Sequence, residues 1–287
     1  MDYKYTELDY AKLIYEKGLQ SDNHLPTELR LVATYMRRFL NYKPKKLREE
    51  LELWTESHIS GYKKELYYKT INRAINQACK KGSTLINISM IEFYKYELDY
   101  IDGLNIKDDN DQDYEYAYEC RKFLFTLLFK MKVNKLISEQ KAVEPFDYKG
   151  KYFKGGQKKY TELKKLAKLP EKLKINEDII HTLWNNGLIT PMFNGLIKMD
   201  FMEHIYQLQE ENKEDNISVI TVKDFESVGW YYDYYHDDNK IMFCERCRKI
   251  FKKRNNKQIY CSDECANIAK LEYDREYQRQ KYENSRK

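Results

Sequence analysis

The amino-acid sequence predicts a mainly α-helical protein with three parts: a helical N-terminal domain, a central domain of helices and a β-hairpin, and a small cysteine-rich segment at the C-terminus. Only 5 of the 287 residues are proline and 10 are glycine, so long irregular loops should be scarce. Apolar residues recur at three- and four-residue spacing in several runs, which is the period of an amphipathic helix. Four of the six cysteines lie between positions 244 and 265, in a stretch too hydrophilic to bury them in a large apolar core.

The sequence predicts that residues 1–104 form the helical N-terminal domain. Several runs there carry apolar side chains on one helical stripe, and "KELYYKTINRAINQACKKG" is a clear example. Ser89 and Glu92 stand three residues apart before further apolar positions, which is the spacing of a capping box at the start of a helix. The acidic and polar segment 105–113 then predicts a linker to the next domain.

Residues 114–202 predict three helices followed by a β-hairpin. "CRKFLFTLLFKM" places apolar side chains on one helix face, "GGQKKYTELKKLAKL" gives a second helix and "INEDIIHTLWNNG" a third. Asn194-Gly195 is a strong hairpin-turn signal. This order resembles that of winged helix-turn-helix proteins over residues 117–202. The resemblance implies either DNA or a protein as the partner, because winged helices bind both, and the acidic start of the third helix opposes phosphate contact there.

A polar stretch, 203–216, reads as a second linker, and residues 217–287 form the third predicted part: a strand, the cysteine cluster and a basic helix. The cluster contains two close pairs separated by thirteen residues: Cys244, Cys247, Cys261 and Cys265. Two such pairs let four thiolates converge on one tetrahedral ion, and four protein ligands leave no open position for catalysis. The sequence therefore predicts one structural Zn²⁺. Four buried free thiols, a disulfide and an iron–sulfur centre are the alternatives.

The stretch "CERCRKIFKKRNNKQIYCSDEC" resembles a small treble-clef-like zinc finger of the pattern C-x2-C…Y-C-S-x-x-C that occurs in bacterial and phage proteins. It is also similar to the CGNR-type finger of bacterial transcription regulators. The four residues that correspond to the CGNR tetrad are Cys-Ala-Asn-Ile at positions 265–268. Only Cys265 and Asn267 match the family, so regulator activity does not carry over. What the resemblance implies is zinc ligation by the four cysteines.

Positive charge is concentrated around the cysteines. Residues 244–287 hold 13 Lys or Arg against 7 Asp or Glu, whereas the whole chain carries a net charge of only +5. Phosphate contacts need clustered cations of this kind. Phe251 and Tyr260 lie among them and add aromatic surface. The candidate nucleic-acid contacts, which include the basic second central helix, are Arg246, Arg248, Lys249, Lys252, Lys253, Arg254, Lys257, Lys158, Lys159, Lys164, Lys165, Lys168, Arg275 and Arg279.

These observations favour a non-enzymatic nucleic-acid-binding protein, with DNA as the expected partner. The abundance of tyrosine, lysine, asparagine and isoleucine suggests an AT-rich genome, so we expect a bacterial mobile element or phage and a role in transcription control or replication. The alternative is an interaction factor that binds a host or phage enzyme and inhibits or assembles it. A metal-dependent nuclease is a third hypothesis, for which His236 beside Asp237 and Asp238 is the only candidate centre.

The sequence excludes several other classes. No run approaches the roughly 20 apolar residues of a membrane-spanning helix, and the N-terminus lacks the basic-then-apolar pattern of a signal peptide. We therefore expect a cytoplasmic protein, in which cysteines stay reduced and favour metal over disulfide. No phosphate-binding glycine loop and no nucleophile–base arrangement is recognisable, so the sequence predicts no small-molecule substrate.

Overall fold

The computed structural model describes residues 5–20, 24–141, 152–154, 156–212 and 217–284. Within these ranges the chain is mainly α-helical and its sheets have only two or three strands, so the predicted fold class is confirmed. The chain divides into two compact units. The first comprises Met1–Ser89 and Val133–Phe146, and the second comprises Met90–Lys132 and Asp147–Lys287. None of the described helices is both long enough and apolar enough to cross a membrane.

The first unit contains four amphipathic helices: α1 (Glu7–Lys17), α2 (Leu25–Arg38), α3 (Pro44–His58) and α4 (Lys64–Ala78). Their apolar stripes meet in one core, in which Leu29 and Leu51 are fully buried. Glu28 is also fully buried, and its carboxylate accepts hydrogen bonds from the Tyr10 hydroxyl at 2.6 Å and from the Gln20 backbone N–H at 2.9 Å. These bonds offset the cost of removing a carboxylate from water.

The second unit begins with a strand at a position where the sequence predicts a helix. Residues Ile91–Tyr94 form β1, and α5 (Lys95–Asp102) starts only after it, so the capping-box prediction at Ser89 and Glu92 is wrong. Strand β1 pairs antiparallel with β5 (Ser218–Val222). This long-range pairing joins two strands of the second unit, which includes Met90–Lys132.

The central part of the second unit has the predicted order of helices and hairpin. Its elements are α6 (Ala117–Lys141) as far as Lys132, β2 (Tyr152–Lys154), α7 (Gln157–Leu166), a π-helical turn Ile175–His181 that continues into α8 (Thr182–Asn185), β3 (Thr190–Pro191) and β4 (Leu196–Lys198). The rest of α6, from Val133 onward, belongs to the first unit. Strands β3 and β4 pair antiparallel around the predicted turn, where Gly195 has a φ of 68°. The sheet order is β2-β4-β3.

The remaining elements lead into the cysteine cluster. The predicted polar linker at 203–216 is largely a helix, α9 (Phe201–Glu211), and residues 213–216 lie outside the described residues. Buried Phe201, Met202 and Ile205 lie on one side of α9, which explains why a mostly polar sequence is helical here. After β5 come α10 (Val228–Tyr235), the hairpin β6 (Ile241–Phe243) and β7 (Ile250–Lys252), and α11 (Asp263–Asn284).

A buried ion pair fastens α10 to α6. The Lys122 ammonium lies 2.6 Å from the Asp233 carboxylate, and both side chains are at least nine-tenths buried. The Tyr118 hydroxyl donates a second hydrogen bond to Asp233 at 2.9 Å. Burial lowers the pKa of Lys122, whereas the interaction with Asp233 opposes that shift. Sequence reasoning missed this pair because its members lie 111 positions apart.

Removal of the carboxylate alone should destabilise the protein strongly. Asp233→Ala leaves the Lys122 ammonium buried without its counter-charge, so we expect the free energy of unfolding to fall by about 3–5 kcal/mol. Urea unfolding followed by circular dichroism measures this change. The double variant Lys122→Met/Asp233→Ala, which buries no lone charge, should recover much of the loss. An equal loss in the single and double variants would contradict the assigned role of the ion pair.

Candidate metal centre and cationic surface

The first cysteine pair lies in the turn of the β6–β7 hairpin. Phe243 pairs with Ile250 at the end of the ladder, and the turn between them carries Cys244 and Cys247. The Cys244 N–H donates to the Lys249 carbonyl at 2.9 Å, and the Arg248 N–H donates to the Cys244 carbonyl at 3.0 Å. Arg248 has a φ of 59°, so the chain reverses through a left-handed residue. This tight turn directs two thiols to one side.

The second cysteine pair lies at the start of α11. Cys261 precedes the helix and Cys265 is in its first turn. The Ser262 hydroxyl accepts a hydrogen bond from the Cys265 N–H at 3.2 Å, which is the interaction of a helix N-cap. Asp263 and Glu264 occupy the first turn, where the helix dipole favours negative charge. The predicted start of a helix at the second pair is therefore confirmed.

The four cysteine sulfurs converge as the spacing predicts. All four Sγ atoms lie within 4.8 Å of one another. Two of these distances are 3.5 Å, from Cys247 to Cys261, and 3.7 Å, from Cys261 to Cys265. Zinc–sulfur bonds of about 2.3 Å in a tetrahedron place the sulfurs about 3.8 Å apart. A disulfide needs about 2.05 Å, and all four cysteines are free thiols. The cluster can hold a metal ion, and its geometry fits Zn²⁺.

The surroundings of the thiols already favour one thiolate. Burial alone would raise the pKa of Cys244, but backbone hydrogen bonds from Cys247, Cys261 and Arg246 outweigh it and lower the pKa to about 6. Burial and the three neighbouring thiols raise the pKa of Cys261 to about 12. A bound divalent cation reverses that second effect, because its charge deprotonates a coordinating thiol.

Most of the predicted cations of the hairpin are exposed. Arg248, Lys249, Lys252, Arg254 and Lys257 point to solvent and Lys253 is half-buried. In the described part of the chain, the one ion pair recorded for residues 244–260 joins Arg246 to Glu272, at 3.5 Å. Sequence reasoning missed Lys240, an exposed lysine whose carbonyl accepts a hydrogen bond from the Lys253 N–H at 2.6 Å. Its position at the β6 end of the same hairpin adds an eighth cation, and the seventh that has no recorded ion-pair partner.

The aromatic residues of the hairpin belong to its core. Phe251 is only 6% exposed and packs with Cys244 and Cys265, and half-buried Tyr260 and Trp230 pack against the same cluster. The prediction that Phe251 and Tyr260 present aromatic surface beside the cations is therefore wrong for Phe251. Its ring supports the cysteine site instead.

The basic residues of α7 divide into two groups. Lys158 and Lys165 are exposed, and Lys159 is exposed but lies 2.7 Å from Glu162. The Lys164 ammonium donates to the carbonyls of Glu171 and Leu173, and the Lys168 ammonium lies 4.6 Å from the centre of the Trp230 ring. Lys164 and Lys168 thus have structural contacts that a phosphate would have to replace. In α11, Arg275 is exposed and Arg279 pairs with Glu283 at 3.3 Å.

The proposed nuclease residues form no second metal site among the described residues. His236 Nε2 lies 3.2 Å from Asp102, which also accepts a hydrogen bond from the Tyr232 hydroxyl. Asp238 accepts a hydrogen bond from the Lys240 N–H at 2.9 Å and so holds the turn before β6. The cysteine cluster is the one metal-binding group found in the part of the chain that the structure describes.

The chain matches no protein-family model, no curated protein and no solved structure.

Zinc content tests whether the four cysteines bind a metal ion. The purified protein should contain about one equivalent of zinc, and Cys265→Ser should release it, because three thiolates and a hydroxyl bind zinc far more weakly. Cys79→Ser, which changes an exposed cysteine outside the cluster, is the matched control and should retain the metal. Metal analysis measures the zinc content, and limited proteolysis after residue 240 shows whether the finger unfolds when zinc is lost. Full zinc retention in Cys265→Ser would contradict the ligand set.

Proposed function

We propose that the chain is a non-enzymatic nucleic-acid-binding protein whose C-terminal finger (residues 240–284) contacts phosphates. One observation carries the proposal. Seven cations of the hairpin have no recorded ion-pair partner in the described part of the chain: Lys240, Arg248, Lys249, Lys252, Lys253, Arg254 and Lys257. Cations that are not already paired can release the counterions of a phosphate backbone, which is the main source of sequence-independent affinity.

The bound metal has a structural role in this proposal. Four cysteine ligands close the coordination sphere, whereas catalytic zinc keeps a position for water. A Zn²⁺ with four thiolates carries a charge of −2, yet the eight Lys and Arg of residues 240–265 still exceed this charge and the three Asp and Glu together. The zinc thus fixes the hairpin and the start of α11 without cancelling the positive surface.

The central region supports a winged-helix-like interpretation. Its order is helix, strand, helix, helix and hairpin, and its first strand pairs with the last strand of the hairpin, as in winged-helix domains. The third helix argues against DNA reading at that position. Glu177 and Asp178 lie in its first turn, and Lys174 is paired with Glu177 at 2.7 Å. We therefore assign nucleic-acid contact to the finger.

The biological setting follows from composition alone. We propose a bacterial mobile element or phage as the source, with a role in transcription control or replication, from the AT-type bias of the sequence. A cytoplasmic location agrees with six free cysteines, because the reducing cytosol preserves thiols for metal binding.

A specific observation favours the interaction hypothesis as a second candidate. Trp184 on α8 is 52% exposed, and Phe193 in the turn of the hairpin β3–β4 is 96% exposed, with Met192 beside it at 44%. Asn185 holds Asp109 of the acidic 105–113 segment at 2.7 Å, so the exposed tryptophan lies next to negative charge. An apolar and acidic surface suits a protein partner better than a phosphate backbone. Under this hypothesis the chain inhibits or assembles a host or phage enzyme.

A salt titration discriminates these hypotheses. Binding of the full chain to a 20-base-pair duplex should weaken linearly with the logarithm of salt concentration. Lys249→Gln/Lys252→Gln/Arg254→Gln should reduce the slope by about 2–3, because each lost phosphate contact contributes about 0.9. Zinc content should stay unchanged.

The matched control removes the same charge from exposed lysines of the first unit, Lys45→Gln/Lys69→Gln/Lys81→Gln. This variant should keep the wild-type slope. No duplex binding by the wild-type chain at low salt would reject the nucleic-acid proposal and leave the interaction hypothesis. Cleavage of the duplex in the presence of a divalent metal, lost in His236→Ala, would instead support the nuclease.

A further inference from the structure

Helix α10 connects the finger to the end of α7. The Trp230 ring packs against the buried finger residues Cys244, Phe251 and Cys265. The Lys168 ammonium, just beyond α7, lies 4.6 Å from the centre of the same ring. A cation at this distance from an indole ring is attracted by the negative face of the ring. Trp230 therefore contacts both the metal-binding core and the basic end of α7.

A close backbone approach fixes the same connection. A Cβ atom at Gly229 would lie 1.9 Å from the Ala167 carbonyl oxygen, so no larger residue fits without movement of the backbone. Adjacent residues of α10 thus contact adjacent residues at the end of α7. Gly229 lies against Ala167, and Trp230 lies against Lys168. The Lys122–Asp233 ion pair holds the following turn of α10. The joint between α10 and the end of α7 thus has two adjacent contacts, and the ion pair with α6 holds α10 beside them.

The exposed lysines of α7 lead toward this joint. Lys158 and Lys165 are seven residues apart and therefore lie on one side of the helix, about 10 Å from each other. Both are exposed, and neither has a recorded ion-pair partner among the described residues. Lys168 follows three residues after Lys165 and reaches Trp230. On the other side of the joint, Lys252 is near enough to Lys122 to contribute to the lowered pKa of that lysine, after burial itself.

We propose that the nucleic-acid surface is composite: phosphates bound by the finger are followed by phosphates bound by Lys158 and Lys165, with Trp230 holding the two cationic stretches in register. The inference rests on the proposed function of the finger and extends it to a second element and to a longer ligand. The ligand is a nucleic-acid backbone that continues beyond the finger. Trp230 and Gly229 are positioning residues, since they touch the scaffold and not the ligand.

The salt slope of duplex binding tests the composite surface. Lys158→Gln/Lys165→Gln should lower the slope by about 1.8 and weaken binding several-fold at 100 mM salt, because two phosphate contacts are lost. Lys45→Gln/Lys69→Gln, which removes the same charge from the first unit, should leave both quantities unchanged. An unchanged slope in Lys158→Gln/Lys165→Gln, with binding by the wild-type chain intact, would overturn the composite surface and leave the finger proposal standing. No binding by the wild-type chain would overturn both.

A second pair of variants tests the joint. In a Trp230→Leu background the substitutions Lys158→Gln/Lys165→Gln should have a smaller effect on affinity than in the wild type, because the two stretches no longer share one register. Zinc content reports whether the finger is still loaded. Lys168→Met removes the cation–π contact and leaves the finger core untouched, so it gives the same test if Trp230→Leu loses zinc. The role of the joint would be overturned if Lys158→Gln/Lys165→Gln reduced affinity in the Lys168→Met background, and in any zinc-loaded Trp230→Leu protein, by the same factor as in the wild type.

Discussion

The meeting point of four cysteine sulfurs is the constraint on which the C-terminal part of this protein depends. The described finger buries few apolar side chains, namely Ile241, Cys244, Ile250, Phe251 and Cys265. A core of this size cannot offset the conformational entropy of ordering a hairpin and a helix start. Metal–thiolate bonds can, since structural zinc contributes roughly 10–16 kcal/mol at neutral pH in isolated fingers. The position of every cation on the hairpin follows from that site.

The finger is also held from outside. Helix α10 meets it through Trp230 and is itself fixed by the buried pair of Lys122 and Asp233. A buried ion pair adds little net stability compared with apolar side chains, but it tolerates only one geometry, because displacement of either charge leaves the other unpaired. Such a pair suits a connection that must keep one orientation. In the proposed function, orientation matters because phosphates have a fixed spacing along a backbone.

The sequence predicted the parts of the structure that depend on local signals. Cysteine spacing identified four side chains that converge and could hold a metal ion, and Asn194-Gly195 identified the hairpin, because each signal lies within a few residues of the structure that it specifies. Strand β1 was missed since its partner β5 begins more than 120 positions later, and a four-residue run with one buried face fits a helix as well as a strand. The structural contacts of Lys164 and Lys168 were missed for the same reason, as a lysine that caps carbonyls or covers an indole looks like any other lysine in sequence.

The cations of this chain differ in whether they already have a carboxylate partner, and this difference decides which of them are available to bind phosphate. A lysine beside a carboxylate, such as Lys174 with Glu177, contributes little to phosphate binding, because the carboxylate repels the phosphate that the lysine attracts. The hairpin differs because Glu245 is the only acidic residue between positions 240 and 260. The four cysteines beside it could hold a metal ion that would fix its backbone. Cations crowded on a rigid scaffold repel one another, and folding alone does not relieve that repulsion. A polyanionic ligand does, which is why the exposed hairpin, rather than the acidic third helix, carries the nucleic-acid proposal.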